Sequence, residues 1–595
     1  MKINVHIFLL LILACIAAIN DAIIYIFNMQ YNIALFLSAI FVACIFFVLV
    51  KKIKLFEVKS DFDKGDLFFI IPFLALAVYV LLTFDTNFDC TNYHYYLQKD
   101  PFRDKLHFDF LPGKSYNSFL FPLGDRMFYI FRNIFGIRFG RLLSAYTLIV
   151  VFYQTKRILL EQYNLPKKKL IILSAGVAVI GPCLEKVFTY YIDNFSCVFL
   201  YELIHIFLLE KNIYKEKKYL YIFVLFSGIA AAIKIPNIIL AFAIFLAITI
   251  NNSIVDKKFK LIENLKNIKI YDYLFLIIIL FCPFMIYMID NYIQTGSVLY
   301  PYYNTVFKSP YFSNINWTDK RFGMLSPLST FVFPIIIAFN PNIGNNGVCG
   351  VGIYYIAYII CILNLIWSKK KDLGWKLSLL TLGLIVIWLN FMMAYTRYAI
   401  IIAVLLVLIE YDIFLKSNIK EKIESLLNAE KQTMGMIISL FVSFFVIAGI
   451  GINYIESFGY INRIIFDYGS LINFKYYETA RKDEKVHIDG VWISLYDIGG
   501  LTDLIREENT PIYNLDKEHY QNSEKLLDMF DQIIKEHGDE LYMLVSMKKG
   551  HKAFEKMWAN NFMIERIMFE YKNPYYQNKE DVFYICKMKY LGDTP

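Results

Sequence analysis

The chain has 595 residues, of which 57% are hydrophobic, 18% aromatic and only 19% charged, with a formal net charge of +8. Soluble proteins carry roughly 25% charged residues and few long apolar runs, so a soluble globular protein is excluded. The positive balance does not point to nucleic acid, because the lysines fall mostly in short loops between apolar runs.

Taken in chain order, apolar runs long enough to cross a hydrocarbon core of roughly 30 Å recur throughout. Spans are expected near 4–28, 31–50, 66–84, 143–160, 169–187, 195–210, 219–234, 235–252, 271–290, 349–367, 373–393, 397–415 and 433–452. The first starts like a signal peptide, but it is too long and has no clear small-residue cleavage site, so a retained span is expected. The run 328–340 is short, ends in Asn340-Pro341 and reads as re-entrant or interfacial. The expectation is a polytopic α-helical membrane protein of about 13 transmembrane helices, spanning 1–455. The nine cysteines are scattered, with no CxxC pair, and give neither a disulfide framework nor a zinc site.

Lysine and arginine clusters set the orientation. "KKIK" at 51–54, "PKKK" at 166–169, "KEKK" at 215–218, "DKKFK" at 256–260, "SKKK" at 368–371 and "KSNIKEK" at 416–422 fall on one side of this arrangement. That side is expected to be cytoplasmic, which places the N-terminus inside and the C-terminus outside. Three segments are left on the outer face: the loops 85–142 and 291–330, and a tail of 456–595. In the tail, "ELYMLVSM" and "DVFYICKMKY" read as strands and "NSEKLLDMFDQIIKEH" as a helix, so a small extracytoplasmic α/β domain is expected.

The polar residues of interest lie at the outer ends of the spans. "FDTNFDCTNYHYYL" places Asp85 and Asp89 just beyond a span, followed by Tyr93 and His94. A partly desolvated carboxylate there is expected to have a raised pKa and to serve as a general base. The plain alternative is a solvated loop, with Tyr95 and Tyr96 in an interfacial aromatic belt. "VFTYYIDNFS" puts Asp193 in the next outer loop, where it reads either as a partner acid or as the N-cap of the following span. "AIKIPN" sets Lys234 before a break at Pro236, and "YTRYAI" sets Arg397 and Tyr398 at the outer end of another span. Boundary cations usually have a partner; a lipid-linked phosphate is one, and phospholipid headgroups are the alternative. The aromatic loop 290–323 carries Lys308 and could stack sugars or anchor at the interface. "NPNIGNNGVCGVG" at 340–352 reads as a connecting loop. No Walker A, G-x-S-x-G or HExxH pattern occurs.

Together, "FDCTNYHYYL", "TYYIDNF", "GIAAAIKI", "TGSVLYPYYNTVFKSPYF" and "YTRYAI" resemble, over roughly 66–415, the GT-C superfamily of integral-membrane glycosyltransferases that use polyprenyl-phosphate sugars. The resemblance implies Asp89 as base toward the acceptor, with Asp85 in reserve, Asp193 as second acid, and Lys234 and Arg397 on the donor phosphate. Tyr93, His94, Tyr398 and Lys308 join them as expected substrate-binding residues. One departure is that many members have adjacent acids in the first loop, whereas Asp85 and Asp89 stand four apart. The implied activity is transfer of a hexose or pentose, with inversion, to a glycan, lipid or protein on the outer face of a bacterial cytoplasmic membrane. No cofactor is required by this reading, with a divalent cation (Mg or Mn) left open. An O-antigen-type polymerase or ligase and a lipid-linked sugar flippase are the alternatives.

Overall fold

A computed structural model of the chain describes residues 1–82, 89–99, 102, 119–209, 213, 216–255, 269–309, 314–316, 327–339, 353–367, 372–392 and 395–416, and in the tail 490–495, 510, 512–515, 531, 533–538, 540–546, 562–572 and 582–590. The described part before the tail is almost wholly helical, and its chain order is the one expected from the apolar runs. The first elements are α1 (Val5–Phe27), α2 (Tyr31–Lys51), α3 (Leu67–Leu82), α4 (Tyr95–Lys99), α5 (Leu123–Phe135), α6 (Ile137–Gly140), α7 (Leu142–Gln162), α8 (Lys167–Ala178) and α9 (Gly181–Val187). There follow α10 (Asp193–Leu208), α11 (Lys217–Ile233), α12 (Asn237–Val255), α13 (Ile270–Phe281), α14 (Met285–Thr295), α15 (Asn304–Phe307), α16 (Pro327–Phe339), α17 (Ala357–Trp367), α18 (Leu373–Phe391) and α19 (Ile400–Lys416).

Two expected spans are not single rods. The run 169–187 bends by 66° between α8 and α9, and the run 271–290 bends by 69° between α13 and α14. Proline explains both: Pro182 sits in the first turn of α9, and Pro283 lies in the break between Phe281 and Met285. Among the described residues, five helices are long and apolar enough to cross a membrane, or up to seven if each bent pair is one span. The count of thirteen is therefore not reached by length and apolarity, and the span expected at 433–452 lies outside the described residues. The short run 328–340 is a helix with Pro334 inside it.

Burial separates a lipid-facing rim from a packed centre. α2 exposes Phe36, Ile40, Phe41 and Phe47, as a helix against hydrocarbon does, whereas α10 is buried along its entire length. Charged side chains gather in two layers at opposite helix ends. One layer holds Lys156–Asp66 at 2.7 Å, Lys416–Asp372 at 2.7 Å, Lys217–Asp272 at 2.5 Å and the Tyr163–Asp412 hydrogen bond. There the strand Lys2–Asn4 also pairs in parallel with Glu57–Lys59, and Lys167 meets Asp63 at 2.6 Å. The basic clusters at 51–54 and 166–169 belong to this layer. The other layer holds Asp89, Asp193, Lys234 and Arg397.

In the tail, five strands form one mixed sheet: β3 (Val491–Leu495), β4 (Ile512–Leu515), β5 (Leu541–Ser546), β6 (Phe562–Lys572) and β7 (Val582–Tyr590), with β1 (Lys2–Asn4) and β2 (Glu57–Lys59) being the pair already given. Their order is β4-β3-β5-β7-β6; β3 runs parallel to β4 and β5, while β7 is antiparallel to β5 and β6. The runs expected as strands are β5 and β7. Trp492, Ile493, Met543, Ile585 and Met588 fill the core of this sheet. The boundary expected at 455–456 lies outside the described residues.

Candidate active site

Each charged residue of the layer that holds Arg397 stands where a helix starts or stops. α11 ends at Ile233 because the residue before Pro236 cannot continue a helix, and Lys234 adopts an extended conformation (φ −155°, ψ 115°). Released from the helix, its Nζ reaches Asp193 Oδ1 at 2.5 Å. Asp193 is the first residue of α10, not its cap: Ile192 holds that position and makes no side-chain capping bond. The positive end of the α10 dipole therefore also faces this carboxylate. Arg397 lies in the 3-10 turn Thr396–Ala399 that opens α19. Asp89 precedes a turn of π-helix, Cys90–His94, a distortion that re-aims side chains.

These four segments, remote in sequence, meet around Arg397. Its Nη1 donates to Asp89 Oδ2 at 2.5 Å, and its Nε stands 3.6 Å from Asp193 Oδ2 without a hydrogen-bond acceptor among the described residues. The guanidinium is sandwiched by aromatic rings, with centroids of Tyr191, Tyr395 and Tyr398 at 4.7, 5.0 and 5.7 Å. Lys234 Nζ sits 3.6 Å from the Tyr398 centroid. A cleft opens between α10 and α19, lined by Asp193, Ser196, Lys234, Asn237, Arg397 and Tyr398. Of the two acids that meet Arg397, the Asp89 side chain is 20% exposed and that of Asp193 only 4%. Two carboxylates and two cations leave the group formally neutral.

The electrostatics of Asp89 differ from the sequence expectation. Burial by itself would raise its pKa, as expected, but the Arg397 guanidinium outweighs burial and, with help from His94, holds the carboxyl below the usual range. Alone, Asp89 is thus a weak base. Burial, reinforced by Asp89, pushes the Tyr93 phenol well above its ordinary value, so Tyr93 presents a neutral hydroxyl.

His94 has a partner inside the protein. Its ring is buried against Tyr93 and Tyr191, and its Nδ1 meets Asp125 Oδ1 at 2.8 Å. Tyr95 and Tyr96 are buried too and form no interfacial belt. Lys308 is exposed beyond α15, in a left-handed backbone conformation, and no contact among the described residues joins it to Arg397. Asp85 lies outside the described residues. The loop expected between 85 and 142 carries an amphipathic helix, α5, that packs under this layer.

Sequence reading passed over several participants. Lys186, paired with Glu185 at 2.6 Å, lies 4.7 Å from the Tyr191 ring that also stacks on Arg397. Asp21 in α1 binds Arg126 of α5 through Nε and Nη2 at 2.8 Å and accepts from the Tyr287 hydroxyl at 2.8 Å. The signal was present, since a lone acid inside an apolar run such as "AINDAIIY" demands a buried partner.

Both carboxylates face Arg397, whose charge would repel a divalent cation, and among the described residues no group of three His, Cys, Asp or Glu converges.

No protein-family model and no curated protein sequence matches the chain. Among solved structures, the crystal structure of ArnT from Cupriavidus metallidurans bound to undecaprenyl phosphate superposes with a TM-score of 0.50 at 9% identity, covering 87% of this chain and 98% of that one. The apo state of the same protein gives a TM-score of 0.47 at 9% identity, over 88% and 98%. At such identity the likeness shows the fold alone. The chain shares the membrane fold of ArnT.

Proposed function

We propose that this chain is a glycosyltransferase that moves a sugar from a polyprenyl-phosphate carrier to an acceptor at the outer membrane face, with inversion. The observation that carries the proposal is the convergence of Asp89, Asp193, Lys234 and Arg397, from four separate segments, in one charged cluster beside the cleft, with Asp89 joined to it through Arg397. The likeness to a structure bound to undecaprenyl phosphate supports the donor class.

In this reading the donor phosphate lies against Lys234 and Arg397. Arg397 Nε, which has no hydrogen-bond acceptor among the described residues, supplies a ready donor, and a planar guanidinium suits two phosphate oxygens at once. The phosphate then competes with Asp89 for Arg397. Its negative charge also favours protonation of Asp89, so arrival of the donor turns a weak base into a stronger one. The acceptor hydroxyl reaches the cleft from the side of Asp89, the more exposed acid. Its oxygen attacks the anomeric carbon as its proton passes to the Asp89 carboxylate, and the carbon–oxygen bond to phosphate breaks. The cations hold the charge that develops on the departing phosphate. Asp193 keeps Lys234 and Arg397 in register.

The test is sugar transfer to lipid or cell-surface glycan in membranes that carry wild type, Asp89→Asn or Asp193→Asn at matched levels. Loss of transfer in Asp89→Asn, with the folded protein present, supports the proposal. Full transfer in both variants overturns the site, and movement of lipid-linked sugar without transfer would make the chain a flippase.

A further inference from the structure

Three consecutive residues at the start of α5 touch the segments that lead into Asp193, Lys234 and Asp89. Gly124 packs so closely that a Cβ there would come within 2.6 Å of Ile192 and 3.3 Å of Ile233, the residues immediately before Asp193 and Lys234. Asp125, 1% exposed, holds His94 Nδ1 at 2.8 Å. Arg126, 2% exposed, donates through Nη1 to the carbonyls of Gln98 and, at 3.0 Å, Lys99, and so closes the end of α4. The same guanidinium is pinned by Asp21 of α1, and one helical turn and a half later Arg132 donates at 3.1 Å to the Tyr95 carbonyl and to Gln98 Oε1. Five described bonds thus clamp 94–99 onto α5, while Asp89, at the head of that segment, touches only Arg397 among the hydrogen bonds described for it.

The geometry points to Asp125 and Arg126 as positioning residues that set the place of Asp89 relative to Arg397 and to Asp193. This inference rests on the function proposed above. A short segment bound only at its far end would let Asp89 wander. The clamp fixes the segment's roll through His94 and its axial position through the carbonyls of residues 98 and 99. Because Gly124 sets the same α5 against the elements bearing Asp193 and Lys234, one helix end references both halves of the cleft. Arg126 does not touch the cleft, and its effect is expected to pass through Asp89.

The test uses the full chain in lipid nanodiscs, with undecaprenyl phosphate as binding probe and transfer measured in membranes. Arg126→Lys should bind undecaprenyl phosphate within about twofold of wild type, since Lys234 and Arg397 are untouched, while transfer falls on the order of a hundredfold, the scale of a misplacement of about 1 Å. In an Asp89→Glu background, Arg126→Lys should add far less than its single-variant loss, because both changes act on the same group. The acid limb of the pH–rate profile should also move upward. The groups facing Asp89 are Arg397, His94, Asp193, Tyr93 and Tyr395, and only the Arg397 contact holds the carboxyl strongly down. Should Arg126→Lys fail to fold, Asp125→Asn keeps the side-chain shape and is expected to give the same pattern. Parallel loss of binding and transfer, fully additive losses, or unchanged transfer would each overturn the inference. Asp89→Asn at full rate would instead sink the proposed function itself, whereas an inactive Asp89→Asn beside a fully active Arg126→Lys sinks the positioning role alone.

Discussion

Arg397 and Asp89 stand 308 positions apart in the chain and share a 2.5 Å ion pair. The pair explains how a carboxylate and a guanidinium are tolerated at a membrane boundary, and it locks the candidate base in a weak state until something else takes the arginine.

The pH dependence follows from that pair. Burial works to raise the Asp89 pKa, and Arg397 more than offsets it. A folded-state pKa held below the ordinary carboxylate value stabilises the ionised form. That contribution is complete above the ordinary value and is lost as pH falls through the lowered one. Arg397→Gln removes the main lowering cause and leaves burial, so the acid limb of any remaining transfer activity should move to higher pH. Rate profiles over the acidic range in reconstituted vesicles check this, and an unmoved limb would remove Asp89 from the titration.

Lys234 should matter to stability through what it leaves behind. Asp193 is 4% exposed, and breaking a buried pair typically costs about 3–5 kcal/mol, because one charge stays buried without its partner. Lys234 is 16% exposed and Arg397 stays nearby, so the lower end, about 3 kcal/mol, is expected for Lys234→Met. The double variant Lys234→Met/Asp193→Asn should recover part of that loss in thermal unfolding of the detergent-solubilised protein. A double variant less stable than the single one would contradict the pairing.

Gly124 is required by packing and not by backbone conformation. A Cβ at that position overlaps Ile192, and overpacking costs typically 1–3 kcal/mol, here roughly 2. Gly124→Ala should reduce transfer, and Gly124→Ala/Ile192→Ala should restore much of it. Absence of rescue would show that the close approach of α5 to the Asp193 loop is unimportant.

Chelation offers a simple check on the chemistry. With Arg397 between the two carboxylates, no divalent ion is expected to bind there. Transfer should be unchanged after treatment with EDTA, and loss that Mg or Mn restores would require a different donor set.

Arg397→Lys separates charge from geometry. Lysine keeps one positive charge but cannot bridge Asp89, lean toward Asp193 and present a free Nε together. Undecaprenyl phosphate affinity in the purified chain should fall about tenfold, the loss of one charge-assisted bond of about 1.5 kcal/mol. Equal affinity would assign the phosphate to Lys234 alone.

The sequence by itself determined the class of protein and picked out the helix ends where its polar residues gather. Apolar runs of membrane length leave few alternatives, because backbone polar groups in hydrocarbon must be satisfied within a helix. The breaks that free Lys234 and Arg397 are local events, written in Pro236 and in the polar turn before α19, so these residues could be picked out one by one. Partners were decided only in three dimensions. His94 reads as a ligand-facing residue until Asp125 is seen against it. Asp89 reads as a base with a raised pKa until Arg397 is placed at 2.5 Å. Asp21 and Arg126 are an odd acid and an ordinary loop arginine in the sequence, yet folded they form one buried pair. The bends at Pro182 and Pro283 were visible as prolines, but not their angle. Helix formation and membrane partition depend on residues near one another in the chain. The ionisation of a carboxylate depends on charges within a few ångströms in space, and only the packing of α5, α10, α11 and α19 brings those charges together.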